Sequence, residues 1–470
     1  MPKKFHIHTK VTPLNLDYVY KFNIERVENC INCGKCTKVC IYEAHKRGKG
    51  GDPRKMADPN TVVCRNCFRC IQECPRGALE KSLDKDFLNI GGSYWKSDMF
   101  ITLWKQAEDG KVPVTGAGYR GPFTGPGFDS MWTDMSEIVR PTRDGIHGRE
   151  YINTSVELGR KLNHLAFDEK GKLLSKVHDT VDIPIPIIFD LPPDNLSPNV
   201  VAALIKAAAE LNTCIILSVA DITSDRKKYI KNIIPLISHM EIDKHQGLIK
   251  NTRFVAIAYT DELLSDFAAV KDKIRKASNA LTIIRIPATK SVETIVSRLT
   301  QNGAEIIHVV ADYRGMEVNG STDSNRRLIK DIIRAVHLKL VENRIRDEVT
   351  IIASGGIAMA EHVPKAMICG ADLTAIDLPL LIALGARLYE EPEKLLIIPE
   401  GLEKIPLRTL TQRIINLMGA WHSQLLEVMG AMGIREARRL RGESGRAIFF
   451  EEVDNDTFGK LFKKRETANV

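Results

Sequence analysis

From Ile183 onward, short apolar runs alternate with amphipathic stretches. The runs predict strands at 184–189, 214–219, 237–242, 254–259, 281–286, 305–310, 349–353 and 373–377. Helical spacing of apolar positions follows most of them, including 197–211 and 325–344. A strand that is apolar on both faces has to be covered on both, which is the situation of a parallel sheet between helices. Eight such units predict an α/β fold, a (β/α)8 barrel of the TIM type over residues 181–395, with its chemistry at the strand C-termini. A doubly wound sheet is the alternative. The run at 237–242 is the weakest of the eight, because no clear helix follows it. Beyond it, residues 396–470 carry Leu, Ile and Met at the spacing of packed helices and read as a helical C-terminal extension.

Residues 91–180 lack this rhythm. Gly, Pro and paired charges are dense there, so the segment reads as a strap linking to the barrel. Within it, Gly116-Ala-Gly118-Tyr-Arg-Gly121 spells G-x-G-x-x-G. A dinucleotide turn needs a strand before it and a helix after it. Val112-Pro-Val114 is a poor strand, and Pro122 and Pro126 interrupt the place of the helix, which argues against that reading. Arg140, Arg143, Asp144, His147, Arg149 and Glu150 could line a site for an anionic group or simply salt-bridge the strap.

The first 90 residues hold the strongest chemical signal. Eight of the ten cysteines lie between Cys30 and Cys74, and only Cys214 and Cys369 lie outside. Cys30, Cys33, Cys36 and Cys40 form C-x2-C-x2-C-x3-C, and Cys64, Cys67, Cys70 and Cys74 repeat it with Pro75 behind. This is the run of two-cluster bacterial ferredoxins, in which the fourth cysteine of each run reaches the other cluster. Cys30, Cys33, Cys36 and Cys74 are therefore expected to hold one [4Fe-4S] cluster, and Cys64, Cys67, Cys70 and Cys40 the other. Structural zinc pairs two C-x2-C knuckles and would not need two complete four-cysteine runs. Ile41 stands where a proline usually follows the first run. The insert His45–Lys55 is basic and glycine-rich, either a solvated loop or a docking patch for an acidic electron carrier.

The chain has 470 residues, 44% hydrophobic and 27% charged, with a formal charge of +8. Two oxidised clusters with their thiolates would bring that to about +4. Lys and Arg are scattered and no aromatic stripe accompanies them, so nucleic acid is not an expected partner. No apolar run approaches the roughly 20 residues of a membrane span. The start, Met1-Pro-Lys-Lys-Phe-His-Ile-His8, lacks the apolar stretch of a signal peptide, so a cytoplasmic location is expected, where clustered thiols stay reduced and bind metal.

Two features point to a phosphate-binding barrel. Ser354-Gly355-Gly356 follows the seventh strand, where bare amides suit a phosphate, and Gly370-Ala371-Asp372 precedes the eighth. Arg285 sits among Ile283, Ile284 and Ile286, and an arginine inside a barrel strand needs a partner. An acid such as Asp190, Asp312 or Asp377 would serve.

The stretches 116–151, 351–372 and 410–442 resemble the FMN-binding synthase domain of glutamate synthases, in the short ferredoxin-fused form of anaerobes. The resemblance implies an FMN barrel fed by iron–sulfur clusters and reductive amination of 2-oxoglutarate to glutamate. It also implies FMN phosphate on Ser354, Gly355, Gly356, Gly370 and Ala371, and a catalytic role for Arg285 at the flavin pyrimidine edge, where the family places a lysine. Ferredoxin or other redox subunits within a hetero-oligomeric complex are the partners so implied, with a small oxo or imino acid as substrate. The chain departs from the family at several places. Ala386–Pro392 has no cysteine where a [3Fe-4S] segment usually stands, Asp377 replaces a glycine, and Met1-Pro2 offers no glutaminase nucleophile. A second reading therefore stands beside the flavoenzyme: a non-catalytic electron-transfer subunit with a degenerate barrel.

Overall fold

In a computed structural model of the protein, the eight parallel strands close into a barrel. The structure describes the chain except residues 1–4, 15–18, 20, 48–55, 61–63, 65, 112–124, 134–151, 163, 176, 178, 195, 319–325, 392–393, 399–400 and 460–470. The G-x-G-x-x-G stretch, the charged residues at 140–150 and most of the basic insert thus lie outside the described residues.

The barrel strands are β1 (Ile187–Phe189), β2 (Ile215–Ser218), β3 (Ile233–Ile237), β4 (Phe254–Ala258), β5 (Leu281–Pro287), β6 (Ile306–Val310), β7 (Thr350–Ser354) and β8 (Leu373–Ile376). Each pairs in parallel with its sequence neighbour, and β8 pairs with β1. Nearly every strand residue is buried, as the continuous apolar runs require. Helices cover the outside, among them α1 (Pro198–Glu210), α2 (Asp261–Ala277), α3 (Val292–Gln301) and α4 (Ile329–Glu342). Ser197 caps α1 and Thr260 caps α2, each through a side-chain oxygen that accepts a free first-turn amide.

β3 is the one strand displaced from its expected place, lying four residues earlier than 237–242. Its run, Ile233-Ile-Pro-Leu-Ile237, contains Pro235, which lacks a ladder donor and hides the strand signal. The strand stops because Ser238 turns the chain, its Oγ accepting from the Met240 amide.

In front of the barrel, strands Phe22–Arg26 and Leu79–Leu83 pair antiparallel, and the short helices Lys35–Val39 and Arg69–Gln72 carry the inner cysteines of the two runs. The helix Ser97–Asp109 then buries Met99, Phe100, Leu103 and Trp104 against the barrel side. Strap residues Gly127–Thr133 dock through Phe128 and Asp129, with His362 Nε2 donating to Asp129 at 3.1 Å and Lys365 Nζ donating to the Phe128 carbonyl at 2.8 Å.

The extension is a hairpin, Arg387–Glu391 with Lys394–Ile398, followed by the 25-residue helix Leu407–Ala431. Arg413 on that helix is fully buried. Its guanidinium donates to the carbonyls of Ala383, Thr12 and Trp104, so one side chain ties barrel, N-terminal arm and 97–109 helix together. Among the described residues, no helix is long and apolar enough to cross a membrane.

Candidate redox site: thiol sets in the head and a polar barrel mouth

All ten cysteines are free thiols. Cys30, Cys33, Cys36 and Cys74 line one cavity together with Arg26, Ile31, Lys35, Met56 and Arg76. Cys74 belongs to the second run, so the runs cross. The other set shows the same crossing. Burial pushes the Cys70 thiol up to about 11, and the neighbouring Cys64, Cys67 and Cys40 add to that push. Four thiols brought this close repel as thiolates unless a cation lies between them, which is the donor set of an iron–sulfur cubane.

Local geometry explains the arrangement. Gly34 and Phe68 both stand in the left-handed region, at φ 73° and 59°, and each starts a one-turn helix that swings the next cysteine inward. Backbone amides then point at sulfur: Ala44 N donates to Cys40 Sγ at 3.4 Å and Ala78 N to Cys74 Sγ at 3.2 Å. Such donors are satisfied best by a charged sulfur. Cys214 and Cys369 lie far from this chemistry in the barrel walls, with thiols that burial pushes up to about 11 and about 12.

The second assembly lies at the C-terminal ends of the barrel strands. Arg285 on β5 reaches across the lumen to Asp190, just after β1, and these two strands stand opposite each other in the eight-strand ring. Parallel pairing sets His308 of β6 directly beside Arg285, with Arg285 Nη1 3.4 Å from His308 Nδ1. His308 Nε2 is 2.8 Å from Ser354 Oγ at the end of β7. Since the guanidinium can only donate, Nδ1 accepts and Nε2 carries the proton.

Burial pushes the His308 imidazole down to about 3, with Asp190 opposing and Arg285 adding, so it is neutral at pH 7. Burial alone would raise Asp190, but the Arg285 guanidinium holds it at about 2. Asp377, partly exposed after β8, behaves oppositely. Burial pushes it up to about 6, Asp190 pushes further, and its own bond from the Leu378 amide opposes. The mouth thus offers an Arg285–Asp190 ion pair, a neutral imidazole and a carboxyl that is mostly ionised at pH 7 and takes up a proton just below it.

Ser354, Gly355 and Gly356 sit at this mouth, but the glycines already have neighbours. A Cβ on Gly355 would stand 2.5 Å from the Ala311 carbonyl oxygen, and one on Gly356 2.6 Å from Gly315 Cα. The loop after β6 fills that side, and Tyr94 Oη donates to the Gly356 carbonyl from another. A phosphate could meet only the remaining amide face of this turn. Gly370 and Ala371 precede β8, at the opposite strand end from Ser354 and Asp377, and are not brought to the mouth. There Gly370 abuts His337, and its carbonyl accepts from Arg346 at 2.6 Å.

Of the three acids expected beside Arg285, Asp190 is its partner, while Asp312 pairs with Arg326 at 3.1 Å. Sequence reasoning missed His308 and Tyr94. A histidine in an otherwise apolar barrel strand, one strand from the buried arginine, was the available signal for His308. Tyr94 carried none.

Comparison with known proteins agrees with this geometry. The model described as "4Fe-4S dicluster domain" matches residues 29–79, and "Conserved region in glutamate synthase" matches residues 240–435. The chain thus carries a glutamate synthase-like region behind a dicluster ferredoxin head. Archaeal glutamate synthase [NADPH] of Archaeoglobus fulgidus is 25% identical over 96% of this chain and 98% of its own. Archaeal-type glutamate synthase [NADPH] of Dehalococcoides mccartyi is also 25% identical, over 90% of this chain and 94% of its own. Among solved structures, a mutant flavocytochrome b2 with pyruvate bound covers 67% of this chain and 86% of its own at 9% identity, with a TM-score of 0.41, too loose to bear on function.

Proposed function

We propose that the protein is an iron–sulfur flavoenzyme of the glutamate synthase type, which takes electrons through two [4Fe-4S] clusters to FMN at the barrel mouth and reduces a small oxo or imino acid. Reductive amination of 2-oxoglutarate to glutamate is the reaction of choice, as in the glutamate synthases it resembles. Cys30, Cys33, Cys36 and Cys74 would hold one cluster, and Cys64, Cys67, Cys70 and Cys40 the other. FMN would lie over Arg285, its phosphate near Ser354, Gly355 and Gly356, and would supply the conversion of single electrons into a hydride.

The observation that carries this reading is a physical connection. Residues Phe87–Trp95 leave the thiol-rich head, join the barrel core and place Tyr94 on the turn that follows Ser354. A degenerate barrel would need no such link between head and mouth. The chain's own groups have definable tasks. Arg285, held by Asp190, keeps a positive charge at the mouth that favours an anionic ring or carboxylate. His308 fixes Arg285 and Ser354 without adding charge. Asp377, raised to about 6 and so mostly ionised at pH 7 but close to titrating, can take up and release a proton close to the mouth. The residue ranges proposed as units are 1–90, 91–180, 181–395 and 396–470. The proposal includes redox subunits in a hetero-oligomeric complex and a cytoplasmic setting that keeps eight thiols reduced.

Iron and flavin analysis of anaerobically purified protein tests it. About eight irons and one FMN per chain are expected. Protein that is replete in iron, carries no flavin and takes up none when FMN is added would decide for the electron-transfer subunit.

A further inference from the structure

The two thiol sets are not equivalent in position. The hairpin Phe22–Arg26 with Leu79–Leu83 acts as a ruler between them. At its Phe22 end, Asn66 clamps the backbone: Phe22 N donates to Asn66 Oδ1 at 3.1 Å, and Asn66 Nδ2 donates to the Phe22 carbonyl at 2.7 Å while lying 3.7 Å from Cys64 Sγ. The Phe22 ring meets Phe68, the residue after Cys67, edge-on at 5.2 Å. At the other end, Arg26 Nη1 lies 3.5 Å from Cys30 Sγ, and Arg26 pairs with Leu79, beside the Cys30 cavity. Four residues of strand separate the two ends, about 13 Å.

The barrel lies beyond the Phe22 end. Leu83, paired with Phe22, runs straight into Asp84, whose amide donates to the Lys21 carbonyl at 3.1 Å. Asp84 caps the helix Lys85–Asn89, and Phe87 of that helix, with Val19 just before the hairpin, is buried in the barrel's own core cluster. Lys21 Nζ stands 5.8 Å over the Phe87 ring. From there Tyr94 reaches the Gly356 carbonyl at the mouth.

The surface around the far set is cationic. Arg26, Lys35 and Arg76 line its cavity, the Arg47 guanidinium stands over Gly34, and the exposed Ile31 and Cys33 lie among them. Glu73 offsets one of these charges by pairing with Lys35 at 2.9 Å, both exposed. Arg47 also bridges to Met56, which lines the same cavity, so the basic insert springs from this side of the head.

From this geometry we infer that the head is directional: the Cys30, Cys33, Cys36 and Cys74 set is the outer station, where an acidic one-electron iron–sulfur carrier docks on Arg26, Lys35, Arg47 and Arg76, and the Cys64, Cys67, Cys70 and Cys40 set is the inner station facing the barrel. This rests on the proposed redox function and adds to it the class of donor and the order of transfer. The step is one electron: the carrier is oxidised by one, the outer station is reduced by one, and no proton moves or bond breaks. Complementary charge concentrates the carrier at the outer station and orients it, and this advantage is lost as salt screens exposed groups beyond about 8–10 Å.

The test uses the full cluster-loaded chain and a small acidic [2Fe-2S] ferredoxin as probe. Stopped-flow reduction, with freeze-quenched paramagnetic resonance to identify which cluster is reduced, is compared for wild type, Lys35→Glu with Arg76→Glu, and a control Lys85→Glu at the inner end. The distal pair is expected to slow reduction about tenfold or more at low ionic strength, to approach wild type at high salt, and to leave both cluster signals intact after dithionite. The control is expected to behave as wild type. A control that slows as much as the distal pair, or a distal pair with wild-type kinetics at low salt, overturns the assignment. Cys33→Ser and Cys67→Ser read the order separately. With Cys33→Ser, ferredoxin should fail to reduce the remaining cluster although dithionite succeeds; with Cys67→Ser, ferredoxin should still reduce the remaining one. The reverse pattern overturns the order. Protein without iron at the two motifs would instead sink the redox function itself, which separates the two failures.

Discussion

The head and the barrel mouth are both built to gather charged or chargeable groups, but they do so by different means. In the head, each short segment supplies three thiols at every third position, and only the fourth ligand, Cys74 for one set and Cys40 for the other, comes from the opposite run. Hydrogen bonds from nearby amides, such as those from Ala44 and Ala78, tune the sulfurs within the same turns. At the mouth nothing is local. Asp190, Arg285, His308, Ser354 and Asp377 come from five different strand ends, spread over almost 190 residues, and each is held by another of the group or by its own turn. The lesson concerns robustness. A locally wound site survives damage elsewhere but loses its cofactor with one ligand. A site assembled across a barrel carries its partners' desolvation, so loss of one member destabilises the fold as well as the function.

The largest test of this contrast removes a crossing ligand. Cys40→Ser and Cys74→Ser should each damage the cluster of the opposite run, taking bound iron from about eight toward about four per chain in anaerobic analysis. The barrel's unfolding should hardly change. Losses confined to the mutated run would show that the runs do not cross.

Next comes Arg285→Met. It leaves Asp190 buried and ionised without its cation, and a cost of about 3–5 kcal/mol is expected in denaturant unfolding of the barrel. Asp190→Asn with Arg285→Met should recover a substantial part of that loss, giving a coupling of more than about 1 kcal/mol in the double-mutant cycle. Additive losses would mean that the pair does not act across the lumen. The same single variant should weaken FMN uptake while both clusters remain.

Gly356→Ala asks for less. Its φ of 67° and the 2.6 Å approach to Gly315 Cα oppose a methyl group, and the expected cost is roughly 1–3 kcal/mol. If the change is neutral, the loop after β6 is looser than its contacts imply.

The smallest effect is on pH. Asp377 is raised above its ordinary value of 3.8 to about 6, so the folded state holds its proton more tightly than the unfolded chain does. The stability this contributes is complete below about pH 4 and is lost as pH rises through 6. Asp377→Asn should flatten that slope in unfolding midpoints measured from pH 4 to 7. An unchanged slope would assign it to other groups.

How much of this was legible beforehand follows from the range of the interactions involved. Iron–sulfur spacing was readable because a cubane sets the distance between thiols and the chain meets it within one turn. Seven barrel strands were readable because burial on both faces forces unbroken apolar runs, and β3 slipped only where Pro235 obscured its run. The solitary Arg285 declared that a partner must exist, since the desolvation cost is local to its own strand.

Which partner it has was a matter for the tertiary structure. Asp190, Asp312 and Asp377 were equal candidates along the chain, and closure of the ring set β1 opposite β5, giving Asp190. Parallel pairing of β5 with β6 placed His308 beside Arg285, and the strand direction left Gly370 and Ala371 at the far end of the barrel. Folding also gave Gly355 and Gly356 a second duty: to the sequence they were an open phosphate turn, and in the fold their missing side chains make room for Ala311–Gly315. The sequence by itself determined what has a period or a fixed spacing: the thiol runs, the barrel and the need for a counter-charge. Only the folded chain decided the pairings, because they depend on residues far apart in sequence meeting across a closed ring, and no local pattern encodes that distance.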